Sequence, residues 1–148
     1  MFPVSGVIKD IVHTNKDYVS VHVYIRGPYD EQQDDHRIFA PVTGKIEKIF
    51  YRNMKPVLRG YKTIVQTKKG RLYIFMYGCV TMIEVGHGYV TDNIQISVKS
   101  GDSVKQGQTI GEIIVRPDNS YAEIYVPYIN PDIKVGDIVV GGKTVIYI

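Results

Sequence analysis

Two short sequence patterns, each present twice, decide the fold of this chain. PVSGVIKDI at residues 3–11 returns as PVTGKIEKI at residues 41–49, and VKSGDSVKQGQTI at residues 98–110 returns as IKVGDIVVGGKTV at residues 133–145. Each copy is too short to bury a hydrophobic core alone, so the copies must pack together in one pseudo-symmetric unit. We therefore predict a single β domain over residues 1–148.

The remaining sequence favours strands over helices. Apolar and polar residues alternate over residues 18–25 and 122–126, and no stretch keeps an apolar stripe at helical spacing for three turns. Residues 63–77 predict a hairpin with its turn at residues 68–70. The Gly-Asp pairs predict tight turns of the kind that build small barrels. The expected fold class is all-β, a duplicated barrel-sandwich hybrid or hammerhead-like barrel.

Composition limits the cellular setting. The 148 residues carry a formal net charge of +3, which is compatible with an anionic membrane surface or nucleic acid but requires neither, and no nucleic-acid partner is expected. The single Cys79 cannot form an internal disulfide and fits a reducing compartment. The longest uncharged run, residues 72–83, is too short to cross a bilayer as a helix, and no secretory leader is evident. We expect a cytoplasmic location, and the composition is also compatible with peripheral contact with a membrane.

Three classes of related barrels are disfavoured by specific residues. Lipoyl and biotinyl carriers need an exposed lysine in the turn that corresponds to residues 116–120, and that turn has none. Metallopeptidases with duplicated barrels need a late His-x-His pair, which is absent, so no metal site is predicted. Sugar-phosphotransferase domains would place their phosphorylated histidine at Met76, which cannot accept phosphate.

Two polar residues are candidates for chemistry on local grounds. His36 lies at the edge of an acidic loop and could act as a general acid or base, although spacing alone favours an exposed loop histidine that balances its acidic neighbours. Ser120 stands at a turn-strand junction, where a serine can serve as a nucleophile or simply as a turn cap. The local pattern leaves both alternatives open.

Taken in order, these segments resemble the core of the phosphatidylserine decarboxylase family. That family shows Asp-x-His-x-x-x-Ala-Pro-Val-x-Gly, later Val-Lys-x-Gly-Asp-x-Val-x-x-Gly, and then a Gly-Ser turn followed by a strand that ends in proline. The resemblance spans nearly the whole chain, and its most specific part is the histidine block followed at a distance by the serine turn. The matching segments are DDHRIFAPVTG at 34–44, VKSGDSVKQG at 98–107 and NSYAEIYVP at 119–127.

The resemblance implies pyruvoyl chemistry at Ser120. The chain would cut itself between Asn119 and Ser120 and leave a pyruvoyl group, whose carbonyl reacts with the lipid amine as carbon dioxide leaves. His36 would be the proton donor or acceptor beside that group. The reaction would turn phosphatidylserine into phosphatidylethanolamine, so the implied partner is an aminophospholipid at a membrane surface. A homo-oligomer is compatible with the sequence.

Two positions depart from the family pattern. Asn119 stands where the family has the glycine that precedes the serine, and Ser5 stands where the first repeat of the family carries an aspartate. Asparagine tolerates the left-handed backbone better than most residues, but serine cannot replace a carboxylate as the charged partner of an imidazole. These departures predict weakened self-processing. The alternative is a non-processing relative that serves as a phospholipid-binding or protein-interaction module.

Overall fold

The computed structural model describes residues 1–14, 18–25, 37–52, 57–59, 62–64, 71–84, 93–114 and 120–147. Within these ranges the chain forms thirteen strands. They are β1 (Gly6–His13), β2 (Val19–Tyr24), β3 (Arg37–Phe39), β4 (Gly44–Arg52), β5 (Val57–Arg59), β6 (Lys62–Ile64), β7 (Arg71–Met76), β8 (Cys79–Glu84), β9 (Ile94–Ile96), β10 (Ser103–Val104), β11 (Thr109–Ile113), β12 (Tyr121–Val126) and β13 (Ile138–Val139).

The two halves of the main sheet have equivalent strand arrangements. Its eight strands follow the order β10-β4-β7-β8-β12-β2-β1-β13, so that each strand of the first half has a counterpart in the second. Both repeat strands carry a bulge at the same position, between Ile8 and Asp10 on β1 and between Ile46 and Lys48 on β4. The all-β class and the internal duplication are therefore confirmed. In the described residues β10 and β13 lie at opposite ends of the sheet, which is not closed.

The two Gly-Asp turns have the same backbone. Gly101 and Gly136 both adopt a φ of 94°, in a region that glycine enters without steric penalty. In each turn the aspartate carboxylate accepts an N–H bond of 2.9 Å from the lysine two residues before the glycine. The glycine N–H bonds to a carbonyl of the repeat strand, at 2.7 Å on β4 and at 2.8 Å on β1. Each turn is therefore anchored to the repeat strand of its own half-sheet.

One hydrophobic core joins the main sheet to a smaller one. Alternate residues of β12, namely Ala122, Ile124 and Val126, are at most 1% exposed, as the period of a half-buried strand requires. The three-stranded sheet β3-β11-β9 contributes Ile38 and Ile110 to the same cluster. Burial of a side chain of this size stabilises the fold by roughly 2 kcal/mol. No helix within the described ranges is long and apolar enough to cross a membrane.

The hairpin predicted across residues 63–77 is wrong in its pairing. Strand β6 (Lys62–Ile64) pairs with β5, while β7 (Arg71–Met76) pairs with β4 on one edge and with β8 on the other. The hairpin that contains β7 instead turns at Tyr77 and Gly78, and it pairs Arg71 with Glu84 at its open end. The correction matters because this open end lies beside Ser120.

Candidate functional site

Ser120 lies immediately before β12, in the middle of the main sheet. Its carbonyl oxygen accepts an N–H bond of 3.0 Å from Ile25, and the residue is 1% exposed. From Tyr121 onward the strand is hydrogen-bonded to β2 on one side and to β8 on the other. The backbone that follows Ser120 is therefore held from both sides, whereas Asn119 lies outside the described residues.

Ser5 lies at the same end of the sheet as Ser120. It directly precedes β1, where Val7 pairs with Tyr24, and Tyr24 in turn pairs with Tyr121. Ser5 and Ser120 therefore stand near one another with only β2 between them, about 10 Å apart at two interstrand spacings. The Ser5 hydroxyl is buried and accepts an N–H bond of 2.9 Å from Gly141. It provides a polar contact at this position but no charge.

The histidine block reaches the same region through its last residues. His36 lies outside the described residues, but β3 begins with the next residue, Arg37. The Phe39 N–H donates to the Pro3 carbonyl at 2.9 Å, and the Phe39 ring lies against the backbone of Gly141, the partner of Ser5. The structure therefore brings the end of the histidine block beside Ser5. The approach of His36 to Ser120 stays a prediction.

An open groove of about 430 Å³, lined mainly by apolar surface, lies along the three-stranded sheet β3-β11-β9. Its lining residues include Arg37, which follows His36, together with Ser97, Thr109 and Glu112. Arg37 and Glu112 are register partners on β3 and β11. The groove is thus lined by one residue of each charge and by two residues that carry hydroxyls.

A charge network with a buried carboxylate flanks Ser120 on its β8 side. The Arg71 Nε–H donates to the Glu84 carboxylate at 2.9 Å, and this carboxylate is 2% exposed. Tyr121, the residue after Ser120, is the register partner of Glu84 and hydrogen-bonds to it. The network therefore ties the first residue of β12 to β8 and β7.

The network raises the pKa values of two of its members, and both shifts favour the protonated forms that donate its hydrogen bonds. Burial, and then the hydrogen bond to Glu84, raise the pKa of the Tyr121 phenol, so the hydroxyl remains a donor at neutral pH. The hydrogen bonds to Glu84 and then to Tyr73 raise the pKa of the Arg71 guanidinium above its usual range. The Tyr121 ring also lies 4.4 Å from the ring of His22, centroid to centroid.

Sequence reasoning missed Arg71, Glu84 and Tyr121, although a signal was present. Arg71 and Glu84 are the two charges that bound the uncharged run 72–83, and a turn at Tyr77 and Gly78 places them directly opposite one another. Recognition of this turn would have paired the charges. The pairing of Glu84 with Tyr121 is a contact between β8 and β12, which local patterns do not encode.

Comparisons with known proteins agree on one family. The family model described as Phosphatidylserine decarboxylase matches residues 29–147. A curated relative, the phosphatidylserine decarboxylase proenzyme of Carboxydothermus hydrogenoformans, is 32% identical over 155 residues, which cover 97% of this chain and 68% of the relative. No solved structure matches the chain.

Proposed function

Since the chain belongs to the phosphatidylserine decarboxylase family, we propose that it converts phosphatidylserine into phosphatidylethanolamine and carbon dioxide with a pyruvoyl group made from Ser120. The observation that carries this proposal is the position of Ser120. It stands at the start of a strand that is held on both sides, at the same end of the sheet as Ser5 and the end of the histidine block.

The proposed self-cleavage uses only groups of the chain and water. The Ser120 hydroxyl oxygen attacks the Asn119 carbonyl carbon, and the peptide C–N bond breaks as the acyl group moves to oxygen. A base then removes the Ser120 α-proton, the Cβ–O bond breaks, and residues 1–119 leave with a new carboxylate. The remaining residue takes up water and releases ammonia, which leaves the pyruvoyl group at the head of residues 120–148.

The surroundings of Ser120 suit such a group. The carbonyl carbon of the pyruvoyl group would be the former Ser120 Cα, and β12 begins at the next residue with partners on β2 and β8. A chain cut before Ser120 therefore keeps its new end in register. When present, the group supplies a carbonyl that reacts with the lipid amine and withdraws electrons as the carboxylate is lost.

The other proposed roles follow from charge and position. His36 is the proposed proton donor or acceptor, and the groove that begins at Arg37 is the proposed site for the phosphoserine headgroup. The headgroup carries an ammonium, a carboxylate and a phosphate, so it needs partners of both signs. Arg37 and Glu112 provide them on adjacent strands.

Asn119 and Ser5 explain why self-cleavage is expected to be slow rather than absent. Asn119→Gly should accelerate it, because glycine reaches a strained backbone conformation at the scissile carbonyl more easily. The rate is read as loss of the full-length band on a denaturing gel over time. An unchanged rate of cleavage in the glycine variant would show that Asn119 does not slow self-cleavage.

The activity is tested by the release of carbon dioxide from phosphatidylserine. Ser120→Ala should abolish it, and His36→Asn should lower it, whereas Ser103→Ala in an exposed turn should leave it unchanged. Activity of the Ser120→Ala variant equal to that of the unaltered chain would overturn the proposal.

A further inference from the structure

The two Gly-Asp turns share a backbone but differ at their outward side chains. In the serine turn (residues 98–104) the exposed residues on either side of Gly-Asp are Ser100 and Ser103. In the apolar turn (residues 133–139) the same positions hold Val135, which is 59% exposed, and Ile138, which is 78% exposed. The chain thus contains its own comparison between a polar and an apolar version of one turn.

The apolar side chains are not needed to form the turn. The serine turn has the same glycine φ, the same aspartate cap and the same bond to its repeat strand. Exposure of two neighbouring aliphatic side chains to water is unfavourable, since each loses the stabilisation that burial provides. Two neighbouring aliphatic side chains at the tip of a turn, where the matching turn carries serines, form a small apolar patch that is available for contact outside the folded chain.

The apolar turn belongs to the half-sheet edge nearer Ser120. Ile138 pairs with Val7, Val7 with Tyr24, and Tyr24 with Tyr121, the residue after Ser120. Three interstrand spacings, about 15 Å, separate Ile138 from Tyr121 along this row. The serine turn pairs with β4 at the opposite end of the sheet. The apolar version thus stands on the side where the proposed lipid chemistry occurs.

We propose that Val135 and Ile138 insert into the surface of a phospholipid bilayer and set the orientation of the chain on it. The inference rests on the proposed function, because a lipid substrate brings the chain to a bilayer. A second copy of the chain is a weaker candidate, since a stable protein interface buries about 800 Å² per partner and two side chains on a tight turn offer far less. Side chains that enter the acyl boundary need no complementary surface.

A matched pair of probes tests the contact. Val135→Cys and Ser100→Cys place a thiol at equivalent positions, and each is labelled with an environment-sensitive fluorophore. The native Cys79 stays unlabelled at neutral pH, because it is 2% exposed and burial raises the pKa of its thiol to about 11. Vesicles of phosphatidylcholine and phosphatidylglycerol supply anionic charge without a substrate for the proposed reaction.

The expected result is a blue shift of the probe at position 135 when vesicles are added, and no shift of the probe at position 100. Equal shifts at both positions, or no shift at either, would overturn the proposal. A shift at position 135 without vesicles, together with a dimer mass in sedimentation, would assign the turn to a second copy and also overturn it. None of these outcomes depends on self-cleavage.

Vesicle partitioning gives a second measurement on the chain without a probe. Val135→Ser with Ile138→Ser, which copies the serine turn, should weaken partitioning about tenfold through lost apolar contact. Tyr77→Ser removes a side chain that is 90% exposed on the β7–β8 turn and should leave partitioning unchanged. Equal losses in the two variants would show general surface hydrophobicity and contradict a specific role of the apolar turn.

Discussion

Ser5 shows how a single position can keep its structural role while its chemistry differs from the family pattern. Its hydroxyl accepts the Gly141 N–H at 2.9 Å inside the fold, which joins the start of β1 to the chain after β13. A serine can make this bond as well as an aspartate can. It cannot hold an imidazole by charge, and for this reason Ser5 predicts weaker processing.

Removal of the Ser5 hydroxyl should destabilise the fold. Ser5→Ala leaves the Gly141 N–H without its acceptor in a buried position, which should lower the free energy of unfolding by about 1–3 kcal/mol. The measurement is urea denaturation, with Ser103→Ala at an exposed position as the control. Equal stability of the Ser5→Ala variant and the unaltered chain would mean that water satisfies the Gly141 amide.

Ionisation of Tyr121 should lower the stability of the folded chain at alkaline pH. Its pKa is raised above the ordinary value of 10.0, by burial first and by the hydrogen bond to Glu84 next, so folding favours the neutral phenol. The stabilisation is fully present below the unfolded pKa and is lost as pH rises through the folded pKa. The free energy of unfolding should therefore fall as pH rises above 10.

The Tyr121→Phe variant isolates this contribution. It should show a shallower loss of stability above pH 10, although Tyr125 and Tyr147 also have raised pKa values and keep part of the slope. Tyr77→Phe, at a position 90% exposed, should keep the full slope. Identical slopes for the two variants would contradict a role for the bond between Tyr121 and Glu84.

At the scale of strands, the hairpin of β7 and β8 shows where local patterns fail. The lysines and glycine at residues 68–70 have the composition of a turn, and this led to the wrong partner for β7. In the structure both edges of β7 are occupied by β4 and β8. Alternation predicts that a segment is a strand, but the choice of neighbours depends on packing over the whole sheet.

The open end of this hairpin should be sensitive to the removal of one charge but not of both. Arg71→Gln leaves the Glu84 carboxylate buried without its cation, which should lower the free energy of unfolding by about 1–3 kcal/mol. The double variant Arg71→Gln with Glu84→Gln should recover most of this loss, because a neutral amide tolerates burial better than an unpaired charge. Urea denaturation of the unaltered chain, the two single variants and the double variant measures both effects.

Additive losses of stability in the single and double variants would contradict this prediction. If the double variant loses as much stability as the sum of the Arg71→Gln and Glu84→Gln variants, the two side chains do not act together. The bond of 2.9 Å between them would then contribute nothing measurable.

For the whole molecule, the duplication was the part of the fold that the sequence could predict. The repeats at 3–11 and 41–49 became the equivalent strands β1 and β4, and the repeats at 98–110 and 133–145 became twin turns. The placement of Ser5 near Ser120 follows from two strand registers, that of β1 with β2 and that of β2 with β12. The network of Arg71, Glu84 and Tyr121 depends on contacts between strands distant in sequence, so no local pattern could reveal it.

The strand order also determines whether the two pieces of the chain would stay together after a cut before Ser120. Residues 120–148 include β12, which lies inside the sheet, and β13, which pairs with β1. Both segments are hydrogen-bonded to residues that precede Ser120, so the two pieces should stay together under native conditions. Size-exclusion chromatography should show one species of unchanged size after cleavage, whereas separation of the pieces would contradict this description of the sheet.

Intact-mass spectrometry under denaturing conditions tests the central claim most directly. Self-cleavage predicts two chains. The first is residues 1–119 with a free carboxylate, and the second is residues 120–148 with Ser120 converted into a pyruvoyl group. The second chain should resist stepwise degradation from its amino end, because it has no amine there. A single chain of 16.8 kDa after prolonged incubation would contradict the account.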